Sequence, residues 1–176
     1  EVYNDIVTTG KNKYIFPFVR FMMTFIERFK TNGFDLNGFE LLREKTKNVR
    51  SLLFLDLAEE VYNYYQNKMQ EYNQVDFADM INLGEKYLNE IEQKGITLPY
   101  KYIIIDEFQD IAMQRFNFAK KLSNVTGAKV VAVGDDWQSI YAFAGSDITL
   151  FTKFLELIGS GKEMQITHTY RNSQEL

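Results

Sequence analysis

Cysteine is absent from the 176 residues, so disulfides and thiolate metal sites are excluded. That absence fits a reducing compartment. Histidine occurs once, at His168, which leaves no second imidazole or thiolate to share a metal ion. His168 is therefore expected to be a surface residue at a strand end. Proline occurs twice and glycine ten times, too rarely for a linker-rich chain, and 45% of the residues are apolar, so a packed core is expected rather than disorder. There is no basic excess either. The net charge is −4, so any polyanionic partner must be met by a local surface and not by a bulk field. No apolar run reaches membrane-spanning length and no leader-like segment stands at the front, which sets the expectation of a soluble, cytoplasmic protein with no membrane partner. The chain begins at Glu1 without a methionine and stops at Leu176 after a polar, turn-like stretch. Both ends are expected to be cuts in something longer.

What is present falls into two parts. Ile15, Phe18, Val19, Met22, Phe25, Ile26 and Phe29 repeat at helical spacing, with Pro17 in the first turn and Gly33 as a stop. The stretch from Asn32 to Lys47 reads as loop or broken helix. Ser51 is the expected cap of a second helix running to about Tyr72, in which Tyr62, Tyr64 and Tyr65 form either a partner face or a core stripe with solvated hydroxyls. Asp76 is the expected cap of a third, with Phe77, Met80, Ile81, Gly84, Leu88 and Ile91 on one stripe and Gly95 after it. The character changes at Pro99. Tyr102 to Ile105 and Lys129 to Val133 are short β-branched runs of the kind buried on both faces of a parallel sheet. Between them Ala112, Phe116 and Ala119 make a helical stripe. After them Asp147 caps a helix with Ile148, Phe151, Phe154, Leu155 and Ile158 inward, and Met164 to Thr167 reads as a third strand. Strand–helix–strand–helix–strand predicts an α/β fold with a parallel sheet, preceded by a mainly helical part. The residues following Ile105 and Val133 then meet at the carboxyl edge, where open α/β sheets bind ligands.

That edge is rich in chemistry. Asp106 and Glu107 follow the first strand: one carboxylate there can hold a magnesium ion and its neighbour can polarise an attacking water. The same pair also suits a solvated strand end. The stretch VGDDWQSIYAFAGSD, Val133 to Asp147, supplies Gln138, an amide able to read a phosphate oxygen, and Tyr141 and Phe143, loop aromatics fit to stack on single-stranded bases or to fill the local core. ITHTYRNS supplies Tyr170, which can stack on a base, and Arg171, which can reach a terminal phosphate or remain a solvated charge.

Taken together, IIIDEFQD, VGDDWQSIYAFAGSD and TYRNS resemble motifs II, III and IV of the UvrD/Rep/PcrA-like superfamily 1 DNA helicases, and the Trp137 form of the second resembles most the helicase IV members. DFADMI, Asp76 to Ile81, resembles the D-F-x-D-[LM]-I stretch that precedes motif II there. The resemblance implies a partial RecA-like (P-loop NTPase) parallel sheet. Residues 1–75 would be the helical insertion of the first motor domain, 76–162 its C-terminal part, and 163–176 the start of the second. It implies ATP and Mg²⁺ as cofactors and single-stranded DNA, or a single/double-strand junction, as partner, with 3′ to 5′ movement. Asp106 would hold Mg²⁺ with Glu107, which would also be the general base. Gln138 would sense the γ-phosphate, Arg171 would reach it, and Tyr170 would stack on adenine. Tyr141 and Phe143 would contact DNA, and Gln109 with Asp110 would couple nucleotide state to the DNA loop. Ala142 and Ala144 stand where relatives carry arginines, which removes cationic contacts from that loop.

One part of such a site is not in the sequence. A phosphate loop needs G-x-x-x-x-G-K-[ST] after a strand. Gly33 and Gly38 have the right separation, but Phe39 stands where lysine is required. TTGKN, Thr8 to Asn12, has Asp5 at the first glycine position and Asn12 in place of the hydroxyl. The expectation is that the loop lies upstream in a longer protein. The 176 residues alone are then expected neither to hydrolyse ATP nor to unwind DNA, and open sheet edges would permit association between copies. The alternative reading is a non-catalytic relative that keeps the fold as a nucleic-acid or protein-binding module. A more distant one is an unrelated α/β phosphotransfer domain.

Overall fold

Helix α1 spans Ile15–Thr31, and the computed structural model, which describes residues 15–140 and 145–168, shows that only half of its apolar stripe is inside. Met22, Ile26 and Phe29 are buried against Leu55, Ala58 and Tyr62, while Phe18 and Val19, expected inward, are exposed. Gly33, at φ +78°, ends the helix. The stretch left open between loop and broken helix contains a two-turn helix, α2, Asn37–Glu44, which inserts Phe39 completely into this core. Phe39 lies 4.3 Å from Phe29 and 5.6 Å from Tyr62, ring centre to ring centre.

Helix α3, Val49–Glu71, is capped by Asn48 and not by Ser51. The Asn48 side chain accepts from the N–H groups of Arg50 and Ser51, so Ser51 is already the third helical residue and receives the cap. Of the three tyrosines, Tyr62 is core, Tyr64 is exposed, and Tyr65 turns its hydroxyl to Asp76 at 2.8 Å rather than to water. Helix α4, Phe77–Gln93, starts where expected: Asp76 and Asp79 form a reciprocal capping box, and Gly95 at φ +63° follows the end. Its predicted stripe begins one turn late, however. Ala78 and Leu88 are buried, whereas Phe77 is 86% exposed and Met80 is exposed too, because the first turn faces α1 and α3 through its carboxylates.

Strand β1, Tyr102–Ile105, pairs in parallel with β2, Lys129–Ala132, in the register Ile103 to Val130 and Ile105 to Ala132. Between them α5, Met113–Thr126, makes the crossover and ends in Gly127 at φ +69°. Beyond β2, the expected helix after Asp147 is split at Lys153 into α6, Ile148–Thr152, and α7, Phe154–Ile158. Phe108, Ile111, Phe116 and Leu150 form the core beneath the sheet, joined by Ile105, Ala132, Phe151 and Phe154.

Two expectations fail here. The strands are not buried on both faces: Ile103 and Ile105 point to the helices, but Tyr102 is 63% and Ile104 72% exposed, since nothing among the described residues covers the other face. Met164 to Thr167 is not a strand. It makes no ladder and leaves Met164 79% and Ile166 85% exposed. Among the described residues the fold is thus mainly helical with one two-stranded parallel sheet, and no helix is long and apolar enough to cross a membrane.

Candidate functional site

The site begins with a turn that the core holds in place. Phe108 is fully buried, its ring 5.0 Å from Phe154, and its N–H donates to the Val133 carbonyl at 2.9 Å. Pinning Phe108 leaves its two predecessors on the outside of the carboxyl edge. Asp106 and Glu107 are both exposed there, and the Glu107 N–H donates to Asp106 Oδ1 at 3.0 Å. Glu107 adopts φ 51°, ψ 43°, the left-handed region that side chains other than those of glycine and asparagine rarely occupy and that collects at functional sites.

Gln109 is buried behind this turn and connects both strand ends. Its Nε2 donates to Glu107 Oε2 at 2.7 Å, and its Oε1 accepts the Asp135 N–H at 3.1 Å. Gly134 makes that approach possible. A Cβ there would lie 2.5 Å from Gln109 Oε1 and 2.9 Å from the Phe151 ring. The chain then enters a single 3₁₀ turn, Asp136–Gln138, in which Asp135 accepts from the Trp137 N–H at 3.1 Å and from Gln138 Nε2 at 2.7 Å. Asp110 lies on the opposite side of the motif. Its Oδ1 is buried with no hydrogen-bond partner, and the residue borders a cavity of about 390 Å³ lined also by Ile103, Asp106, Glu107 and Arg115.

The structure therefore brings together Asp106, Glu107, Gln109, Asp110 and Gln138 of the predicted residues. Tyr141, Phe143, Tyr170 and Arg171 lie outside the described residues. Sequence reasoning assigned no role to Gly134 or Asp135. The signal for both was the glycine-acid pair directly after a strand, where the backbone must pass close to its neighbour. Trp137 in the same 3₁₀ turn is 93% exposed.

Electrostatically the edge is acidic. Asp106, Glu107, Asp110, Asp135 and Asp136 are in none of the ion pairs formed among the described residues. A polyanion meets this edge only with cations between. No group of three or more metal-binding side chains exists among the described residues, so no all-protein cage is offered. Two adjacent exposed carboxylates do fit Mg²⁺, a hard ion that keeps several waters and takes one or two carboxylates plus phosphate oxygens.

A family model described as the UvrD/REP helicase N-terminal domain matches residues 7–158. The chain belongs to that family. Similar UvrD/REP-type proteins include DNA helicase IV of Escherichia coli (strain K12), 32% identical over 135 residues, or 75% of this chain and 19% of that protein. The putative ATP-dependent DNA helicase YjcD of Bacillus subtilis (strain 168) is 32% identical over 120 residues, 66% of this chain and 15% of its own length. DNA helicase II of Haemophilus influenzae is 31% identical over 122 residues, 66% and 16% respectively. The chain thus spans less than a fifth of the length of these curated relatives.

Proposed function

We propose that these residues form the water-activating and phosphate-sensing half of an ATP-driven DNA helicase or translocase motor, acting in the cytoplasm on single-stranded DNA or a single/double-strand junction. By resemblance the movement is 3′ to 5′. The observation that carries this reading is the Gln109 bridge, which ties a left-handed glutamate at one strand end to the phosphate-sensing segment at the next. Such a connection is idle in a solvated acidic turn and useful in a nucleotide switch.

Mg²⁺, when bound with the triphosphate, would neutralise charge on the β- and γ-oxygens. Asp106 would hold it, directly or through water, with Glu107 beside it. Glu107 would take a proton from the attacking water, whose oxygen bonds to the γ-phosphorus as the bond to the β–γ bridging oxygen breaks, leaving ADP and phosphate. The Gln109 amide keeps one Glu107 oxygen occupied and fixes the direction of the other. Gln138, Arg171 and Tyr170 would contact the nucleotide, and Tyr141 and Phe143 the DNA. On this reading 1–75, 76–162 and 163–176 are the helical insertion, the later part of a RecA-like motor and the first residues of its partner domain.

Because the sequence has no G-x-x-x-x-G-K-[ST], the 176 residues by themselves are inactive in this proposal, and the phosphate-holding lysine comes from elsewhere in the full-length protein. The test is Glu107→Gln in that full-length protein. Loss of a general base costs about 10²- to 10⁴-fold in rate. DNA-stimulated ATP hydrolysis should fall by at least a hundredfold while ATP binding is retained. Hydrolysis at the wild-type rate would sink the assignment. A full-length protein that binds DNA but neither binds nor hydrolyses ATP would favour the non-catalytic binding module. Turnover by the isolated 176 residues would show that no outside lysine is needed.

A further inference from the structure

We infer that Asp135 is a positioning residue for the hydrolytic step, because its carboxylate decides which way the Gln138 amide faces. The inference rests on the proposed ATP hydrolysis and deepens it. An ionised carboxylate only accepts hydrogen bonds, whereas a glutamine amide has a donating end and an accepting end. Asp135 Oδ2 lies 2.7 Å from Gln138 Nε2, so the amide must present its NH₂ group to Asp135. The opposite orientation would set the Gln138 carbonyl oxygen against a carboxylate oxygen. Asp135 is itself immobilised at three points: Oδ2 by Gln138, Oδ1 by the Trp137 N–H, and its own N–H by Gln109 Oε1.

The consequence is a defined division of labour within one side chain. With one amide hydrogen on Asp135, Gln138 retains a second hydrogen and a free carbonyl oxygen. The hydrogen suits a phosphate oxygen, which can only accept. The carbonyl oxygen suits a water hydrogen. Glu107, the proposed general base, is an acceptor at the same edge, and a water has two hydrogens to give. Glu107 and Gln138 are held by the same unbroken relay, Glu107–Gln109–Asp135–Gln138, with contacts of 2.7, 3.1 and 2.7 Å. Gln138 thus does more than register the γ-phosphate: it orients the water, and Asp135 sets it to do so.

Asp135→Asn separates orientation from shape. Its Oδ1 still accepts the Trp137 N–H, so the 3₁₀ turn stays capped, but Nδ2 now donates toward Gln138 and the amide turns over. In the full-length protein kcat for DNA-stimulated ATP hydrolysis should fall 10- to 100-fold, with a smaller rise in KM for ATP from the phosphate contact that the turned amide gives up. The double variant Asp135→Asn with Gln138→Ala should be no slower than Gln138→Ala alone. If Asp135→Asn melts more than about 5 °C below the parent, Asp135→Ser, which keeps an acceptor for Trp137 and removes the one for Gln138, takes its place in the cycle. Glu107→Gln is measured alongside. Wild-type hydrolysis by Glu107→Gln defeats the functional reading itself. Loss in Glu107→Gln with an unchanged kcat in Asp135→Asn, or losses from Asp135 and Gln138 that multiply, overturns the positioning role alone.

Discussion

Replacing Lys30 by methionine should be among the most damaging single changes in the chain. Lys30 is 1% exposed, and its Nζ lies 2.6 Å from Asp76 Oδ2 and 2.5 Å from Asp79 Oδ1, the two carboxylates of the α4 capping box. Tyr65 donates to the same Asp76 oxygen, and Gln66 reaches Asp79 at 3.4 Å. Methionine keeps the length of the stem and removes the charge, leaving two carboxylates facing each other with no cation. Breaking a buried pair by removing one partner costs about 3–5 kcal/mol. Asp76 and Asp79 retain 29% and 16% exposure, so water relieves part of this and the low end, about 3 kcal/mol, is expected. In a chain of this size that corresponds to a fall in Tm of roughly 6–12 °C. Burial by itself pushes the Asp76 carboxyl up, but hydrogen bonds from Lys30, the Asp79 N–H and Tyr65 outweigh it and hold its pKa below the ordinary value. A depressed folded pKa gives stability that is complete above the unfolded value of about 3.9 and is lost as pH falls further. In Lys30→Met the burial effect loses its main opponent and the Asp76 carboxyl is pushed up, so the deficit of the variant should be full near neutral pH and shrink as pH falls into the carboxylate range, where protonation relieves the unpaired charges. Urea denaturation across pH 3–8 measures both effects. The triple variant Lys30→Met, Asp76→Asn, Asp79→Asn keeps the cap and removes all three charges, and should recover at least half the loss. A Lys30→Met change under 1 kcal/mol, or no recovery in the triple variant, would refute the reasoning.

Gly134→Ala should destabilise by about 1–3 kcal/mol, as overpacking does, because the new Cβ meets the buried Gln109 amide and the partly buried Phe151 ring. Denaturation of the purified chain measures it, and DNA-stimulated hydrolysis by the full-length protein should fall in parallel as the Gln109 bridge is displaced. At the start of α3, Asn48→Ala should cost about 1 kcal/mol, whereas Ser51→Ala should stay within about 0.5 kcal/mol. Equal losses in the two variants would restore Ser51 as the cap.

The meeting of Asp106, Glu107, Gln109, Asp110 and Gln138 at one edge was legible because these parts are local. A β-branched run followed at once by two acids fixes a strand end, and the same grammar thirty residues later fixes its neighbour. Asp76 was legible as a cap for the same reason: its partner in the box is three residues away. Its second role was not, because Lys30 is 46 residues distant and a lysine at helical spacing reads as solvated. Local grammar also failed where two answers fit. Asn48 and Ser51 are both good caps, and only the hydrogen bonds choose. YIII reads the same whether one face of a sheet is covered or both, so burial of Tyr102 and Ile104 was overestimated. MQIT has the alternation of a strand, yet among the described residues no edge accepts it.

The sharpest conflict between local propensity and observed structure falls on the residue with the most chemistry. Among the described residues, left-handed backbone occurs at glycines, at Asn73 just after α3, and at Glu107. Glycine and asparagine occupy that region readily, whereas for glutamate it costs roughly 1–2 kcal/mol. The strain has an evident origin. Phe108 must enter the core and bond the Val133 carbonyl, and full burial of such a ring contributes about 2–3 kcal/mol, enough to hold its neighbour in an unfavourable conformation. That explains why the backbone turns at 107, but not why the residue is glutamate. A glycine would make the same turn without strain and leave Gln109 Nε2 buried without its acceptor. The fold therefore has no need of a carboxylate on this turn beyond satisfying Gln109, and Gln109 itself leads on to Asp135. Removed from its relay, Glu107 is a strained and exposed charge. Within it, Glu107 is the end of a hydrogen-bonded path to Gln138, and on that path the proposed water-activating role rests.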